Sequence, residues 1–280
     1  MDTPTTARLR QIINAPEPEL DLAEAALLIA KEEYSELDIS AYIARLDGMG
    51  ETLRARVPGD ATAERKIHAL NSLLFEELGY GGPTKDFYDP RNSFLNDVID
   101  RKIGIPIALS VLYMEVGRRV GLPIEGVSFP GHFLVKLRVT DGALVMDPFS
   151  GGASLDEDDI QRRLQLAYGG QPPPDVPMER LLGAATKKDI LVRMLRNLKA
   201  IYTHTGELLK ALSIVDRILI ITPEMTSEFR DRGLIYQDLE CFRPALADIQ
   251  CYLETEPQAD DAAEMRDRII ELQRLTARMN

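Results

Sequence analysis

Two residues have the types and the setting to move a proton between them. His132 follows Phe129-Pro130-Gly131 at the head of an alternating apolar run, and Asp147 opens Asp147-Pro148-Phe149 at the end of the next such run. A carboxylate that accepts from one imidazole nitrogen fixes the tautomer and leaves the other nitrogen free to take a proton, the orienting half of a nucleophile-activating triad. The third member would be a thiol or hydroxyl within hydrogen-bond reach. Cys241 and Cys251 lie far along the chain, with neither CxxC spacing nor neighbouring histidines, so they supply no nucleophile here and no metal site. His68, beside Ile67 in a helical pattern, reads as a surface or edge residue, and His204 as a cation at a helix end. Asp156-Glu157-Asp158-Asp159 lacks the alternation and central glycine of a calcium loop and reads as the acidic first turn of a helix. Gly151-Gly152 reads as a turn. No cofactor and no metal is expected.

The elements that must position this pair are a buried helix and a short sheet. Ile105 to Val120 is apolar almost all round, the pattern of a buried helix. Pro106 suits its first turn, Gly121 ends it and Pro123 stops its continuation. Ile124–Phe129, then Phe133, Val135, Leu137 and Val139 in alternation, then Leu144–Met146 read as strands, and Asp141-Gly142 is a local hairpin signal. If Asp141 and Gly142 are the central turn residues, Lys136 faces Asp147 and His132 lies four residues away, ~13 Å along the strand. A turn centred near Val139-Thr140 sets His132 beside Asp147 instead. Either register keeps both side chains on one face, because four is even.

Upstream, apolar residues recur at helical spacing in Leu20–Ala30, Ile39–Leu46 and Ile67–Leu78, the last stopped by Gly79, and a further helix is expected near Asn92, with Asn92 as its N-cap. Residues 1–90 therefore read as an all-helical part, 91–178 as the core, and a charged helix from about Leu155 to Tyr168 followed by Pro172, Pro173, Pro174 and Pro177 as its stiff exit. Residues 179–280 repeat. A shift of 34 superimposes Ile201 on Ile235, Tyr202 on Tyr236, Ala211 on Ala245, Leu212 on Leu246, Leu219 on Leu253 and Pro223 on Pro257, the period and anchors of tetratricopeptide repeats. Gly206 becomes Glu240 in the second copy, and a final helix is expected from about Ala262 to Ala277.

The 280 residues carry 33 basic against 45 acidic side chains, a net −12 that disfavours a phosphate backbone as partner. Residues 1–90 hold most of the excess, 9 basic against 17 acidic, which reads as a solvated face. The longest strongly apolar run, Ile103–Met114, is too short for a membrane span. With no export-signal pattern at Met1-Asp2-Thr3-Pro4, a cytoplasmic protein with reduced thiols is expected. The oligomeric state is not readable from the sequence.

Gly104-Ile105-Pro106, the buried helix, Gly121-Leu122-Pro123, Pro130-Gly131-His132 and Asp147-Pro148-Phe149 together resemble the transglutaminase-like, papain-related core. The run from Tyr88-Asp89-Pro90-Arg91-Asn92-Ser93 to Gly151-Gly152, with helices before and tetratricopeptide repeats after, is similar more narrowly to the bacterial SirB-type family. The resemblance implies an α+β, mostly helical fold with a small antiparallel sheet, a regulatory role, and a related module in a eukaryotic F-box protein. It also marks Asn92, Ser93, Pro106, Ser110, Phe129 and Gly131 as residues lining a binding groove. In transglutaminase-like enzymes the nucleophilic cysteine stands about fifteen residues before the Gly-Leu-Pro turn, and counting back from Gly121 lands on Pro106. Ser110, one helical turn on and on the same face, is the nearest hydroxyl, although serine in a buried helix commonly bonds the carbonyl four residues back.

Two functions follow as expectations. One is a non-enzymatic or degenerate transglutaminase-like domain whose repeat region binds a protein or peptide, a pseudoenzyme in regulation. The other is a weak, cysteine-independent hydrolase of amide or ester bonds in which the His132–Asp147 dyad activates water.

Overall fold

The computed structural model describes residues 3–139, 142–170 and 176–278. It divides into two compact units, the first ending at Met194 and the second beginning at Leu195.

The first unit opens with four helices, α1 (Pro4–Ile13), α2 (Leu22–Ala30), α3 (Ile39–Arg56) and α4 (Ala63–Asn71). Each starts where a side-chain oxygen, from Thr3, Asp21, Asp38 or Thr62, accepts an otherwise unpaired backbone N–H of the first turn. Helix α4 does not run on to Leu78 as one α-helix. It widens into a π-helix over Ser72–Glu77, which keeps Leu73 and Leu74 buried and leaves Asn71 at the junction. Pro90–Asn92 form a 3₁₀ turn capped by Asp89, followed by α5 (Leu95–Arg101) and α6 (Pro106–Arg118). Asn92 is thus not the N-cap; Phe94 holds that position for α5 and makes no side-chain cap. Asn92 is buried and instead donates through Nδ2 to Asp86 O at 3.0 Å while its Oδ1 accepts from Arg101 at 3.2 Å.

Helix α6 is buried on every side from Ile107 to Gly117, as its sequence dictates. Against it lies an antiparallel sheet with strand order β4-β3-β2-β1-β5 among the described residues, formed by β1 (Glu125–Val127), β2 (Leu134–Val139), β3 (Gly142–Asp147), β4 (Ala153–Leu155) and β5 (Ala184–Ala185). The last two are too short to leave an alternating pattern in the sequence. The hairpin register is Val135↔Met146, Lys136↔Val145 and Val139↔Gly142, two residues away from each of the registers expected and midway between them. Gly142 is the first residue of β3 rather than a turn residue; Thr140 and Asp141 lie outside the described residues. Along β2, four consecutive residues from Leu134 to Leu137 are buried, because both faces of the sheet are covered. Tyr113 of α6 reaches Met146 on one face, while Leu134 and Val145 pack on the other with Ile160 and Leu164 of α7 (Glu157–Ala167). Asp156 and Asp159 close a reciprocal capping box at the start of α7, so the acidic run begins a helix. Its exit by way of Pro172–Pro174 lies outside the described residues; Pro177 precedes α8 (Met178–Leu181).

Helix α9 (Lys187–Thr205) carries the chain from the first unit into the second, which continues as α10 (Leu208–Ile221), α11 (Thr226–Asp238), α12 (Phe242–Thr255) and α13 (Ala262–Arg278). The 34-residue shift of the sequence is also a shift of the backbone. Glu207 N donates to Tyr202 O at 2.9 Å, and Cys241 N to Tyr236 O at 2.8 Å; Thr222 N donates to Ile218 O, and Glu256 N to Tyr252 O, both at 2.8 Å. Ala211 and Ala245 are wholly buried, the small side chains that let paired helices approach. At the inter-helix turn Gly206 has φ +75°, and Glu240 adopts φ +58°, so the second copy keeps the geometry in a left-handed conformation that costs a non-glycine residue about 1–2 kcal/mol.

Candidate functional site

Asp147 ends β3, and continuing the register sets it opposite Leu134, two residues from His132. Such diagonal neighbours lie within reach of long side chains, and the distal ring nitrogen covers the gap: His132 Nε2 is 3.0 Å from Asp147 Oδ1. The structure therefore brings the two together, by a register neither expectation contained. His132 lies before β2, in a turn closed by His132 N donating to Phe129 O at 3.2 Å. Gly131 makes that turn possible with φ +68°.

Asp147 is fully buried and its carboxylate is saturated. Oδ1 accepts from His132 and from Phe149 N at 3.0 Å; Oδ2 accepts from Ser150 Oγ at 2.7 Å and is ion-paired with Arg163 Nη2 at 2.8 Å. Burial alone would raise its pKa, but the hydrogen bond and charge of His132, the Ser150 hydroxyl and the Arg163 guanidinium outweigh burial and hold it below the usual carboxylate value. An ionised carboxylate only accepts, so a neutral His132 carries its proton on Nε2 and leaves the Nδ1 lone pair free. No protein group among the described residues hydrogen-bonds Nδ1, and the His132 side chain is 19% exposed. Chemically the arrangement is a fixed-tautomer acceptor, able to take a proton or to receive a hydrogen bond from a ligand.

The surroundings of the ring are aromatic. Phe149 meets His132 edge to face at 5.7 Å, Phe87 meets Phe149 at 6.4 Å, and Tyr88, largely exposed, meets Phe87 at 5.6 Å. Phe149 lies so close to Gly82 that a Cβ there would overlap its Cε2 and Cζ atoms. The loop after Asp147 is tied on its far side: Asn71 Nδ2 donates to Gly152 O at 3.1 Å, and Asn71 Oδ1 accepts from Tyr113 OH at 2.8 Å. Ser150, Arg163 and Asn71 were not among the expected site residues. Arg163 follows the capped acidic turn of α7 by about one helical turn, a signal that becomes readable only once α7 is known to cover the face carrying Asp147.

The other expected groove residues separate into groups. Phe129 is a core residue, wholly buried with Val127, Leu134 and Val145. Asn92 and Ser93 are buried, and Pro106 is half-buried at the first position of α6. Ser110 is 0% exposed, and contrary to expectation its Oγ does not bond the carbonyl four residues back; neither it nor Ser93 Oγ has a protein hydrogen-bond partner among the described residues. His132 makes no hydrogen bond or ring contact with Pro106 or Ser110. His68 and His204 are exposed. Among the described residues no group of histidine, cysteine and carboxylate side chains could hold a metal ion, and no helix is long and apolar enough to cross a membrane.

Residues 40–196 match the transglutaminase-like superfamily and residues 198–269 match the tetratricopeptide repeat. The UPF0162 protein of Xylella fastidiosa (strain Temecula1) is 43% identical over 253 residues, 90% of each chain. The chain belongs to the UPF0162 family. This SirB-type family extends across many bacteria, including a Vibrio cholerae protein 29% identical over 88% of this chain and 90% of its own. F-box only protein 21 of Pongo abelii is 27% identical over 202 residues, 68% of this chain and 31% of that protein. A UPF0162 chain is thus a transglutaminase-like domain followed by tetratricopeptide repeats, and repeats of this kind generally mediate protein–protein interactions.

Proposed function

We propose that this chain is a recognition protein, in which a transglutaminase-like domain without an acyl-transfer nucleophile is joined to a repeat region that holds a protein partner. The observation that carries the reading is the head of α6, where the resemblance to transglutaminase-like enzymes implies a thiol and this chain has Pro106. The nearest hydroxyl on that face, Ser110, is fully buried and makes no hydrogen bond to His132. Both cysteines lie in the second unit, at the start of α12 and within it. A base without a nucleophile can still serve a binding protein, because an imidazole whose Nδ1 is free and whose orientation is fixed offers one aimed acceptor beside an aromatic wall.

The test uses the full chain. Wild type and His132→Ala are compared for ammonia release from glutamine peptides, transfer to an added amine, and hydrolysis of simple amides and esters; no turnover above solvent is expected from either. Photo-cross-links to a partner are expected to map to residues 198–269. Turnover that vanishes in His132→Ala, or cross-links confined to the first unit, would overturn the reading.

A further inference from the structure

His132 stands where the sheet does not hold it. The β1–β2 ladder ends at Val127↔Leu134, so the backbone two residues earlier must be fixed by something else. Its N–H closes the turn onto Phe129 O; its carbonyl is held by one side chain from α9. Arg193 Nη2 donates to His132 O at 2.9 Å and to Phe129 O at 3.3 Å, and Nη1 donates to Ser128 Oγ at 2.9 Å. The guanidinium also lies over the Phe133 ring at 5.9 Å. One planar fork therefore spans both ends of the turn that presents the imidazole.

The energetics make this an unusual use of a cation. Arg193 has no carboxylate partner among the described residues, and burial lowers its pKa. A half-buried charge held only by neutral acceptors still carries a desolvation cost, whereas an uncharged side chain of similar volume would fill the space without that cost. A guanidinium does what an apolar stem cannot: its five donors in a fixed plane fit two carbonyls and a hydroxyl at once. The Asp147 half of the pair is tied separately, through Gly152 to Asn71. The 3.0 Å contact between Nε2 and Oδ1 thus depends on two independent anchors, one for each strand end.

We propose that Arg193 is a positioning residue for His132, bridging the Phe129–His132 turn so that Nε2 meets Asp147 and Nδ1 is presented. The proposal does not depend on whether the pair binds a ligand or activates water, so it can fail while the recognition reading stands.

The test is NMR on the full chain with Arg193→Gln and Arg193→Lys. In wild type, long-range ¹H–¹⁵N spectra should show the neutral His132 ring as the Nε2–H tautomer. In Arg193→Gln the His132 amide should exchange about tenfold faster or more, and the ring should populate both tautomers, while the Leu134–Leu137 amides keep wild-type protection. Arg193→Lys keeps the charge without the fork and should recover only part of the wild-type spectrum. Should the glutamine variant not fold, the lysine variant alone is decisive, with a mixed-tautomer ring expected. A wild-type His132 spectrum in a folded variant overturns the proposal. So does equal acceleration at His132 and throughout β2, which would make Arg193 a general stabiliser.

Discussion

The helix pairs of the repeat unit and the Asp147 site of the first unit use charge in opposite ways. In the repeat unit, cations and carboxylates tie helix to helix: Arg232 of α11 bridges Asp216 of α10 at 2.8 Å and Asp248 of α12 at 2.7 Å, and Lys199 of α9 holds Glu228 and Asp231 of α11 at 2.6 and 2.7 Å. The hydrogen bonds that Arg232 donates to Asp248 and Asp216 accordingly push its pKa up, against its burial. In the transglutaminase-like unit, the charges around Asp147 converge on one ring and leave one of its atoms unsatisfied. The first arrangement holds a shape; the second aims a side chain. A site of the second kind depends on anchors far apart in sequence, Asn71, Arg163 and Arg193, and disruption there should propagate to His132 in a way that disruption of a repeat does not.

The largest effect is expected from Asp147→Asn, which leaves Arg163 and Ser150 facing a neutral amide and removes the ionised acceptor of Nε2–H. Loss of one partner from this buried network should destabilise the first unit by about 3 kcal/mol, read by hydrogen exchange in β2 with the α12 amides unchanged. Equal loss in both units would erase the contrast. The pH dependence has a definite sign. Because the folded Asp147 pKa is depressed, its contribution is fully present above the ordinary carboxylate pKa of about 4 and is lost as pH falls through the lower folded value. Asp147→Asn should flatten the acid limb of the first unit's stability profile.

A smaller effect is expected from Gly82→Ala. The added methyl overlaps the Phe149 ring, and because that ring also meets His132 and Phe87, the substitution should cost about 1–2 kcal/mol and shift the His132 ring protons. Unshifted ring protons would mean that Phe149 is not the wall of the site. The smallest effect belongs to the repeats: Glu240→Gly should stabilise the second unit by about 0.5–1 kcal/mol, since glycine takes φ +58° without strain but loses more chain entropy on folding. A loss of stability would show that the Glu240 side chain holds the turn in some other way.

The same contrast explains what could be read in advance. The repeats are local and periodic, so Ala211/Ala245 and Tyr202/Tyr236 mark them without any long-range pairing, and α6 is legible because a continuous apolar run with Pro106 and Gly121 at its ends has few alternatives. His132 and Asp147 were legible as residue types on one sheet face. Their register was not, because Asp141-Gly142 supplies a strong local preference that the ladder overrides by two residues. Phe129 and Ser110 are both wholly buried, which their types could not announce, because a groove and a core both select apolar or small residues. Arg193 and Asn71 left no signal, since an arginine on a helix face and an asparagine at the end of a helix look like surface residues until the turn and the loop they hold are located.

The recognition reading requires that the head of α6 offer no nucleophile to His132. Intact-mass and peptide mapping of the full chain after exposure to a haloacetamide, a fluorophosphonate and an activated acyl ester tests it directly. Background modification, at Cys241, Cys251 and exposed lysines, is expected to be identical in wild type and His132→Ala, with no adduct that depends on His132. A stoichiometric adduct within residues 91–170, at Ser93, Ser110 or any other side chain, that disappears in His132→Ala would contradict it.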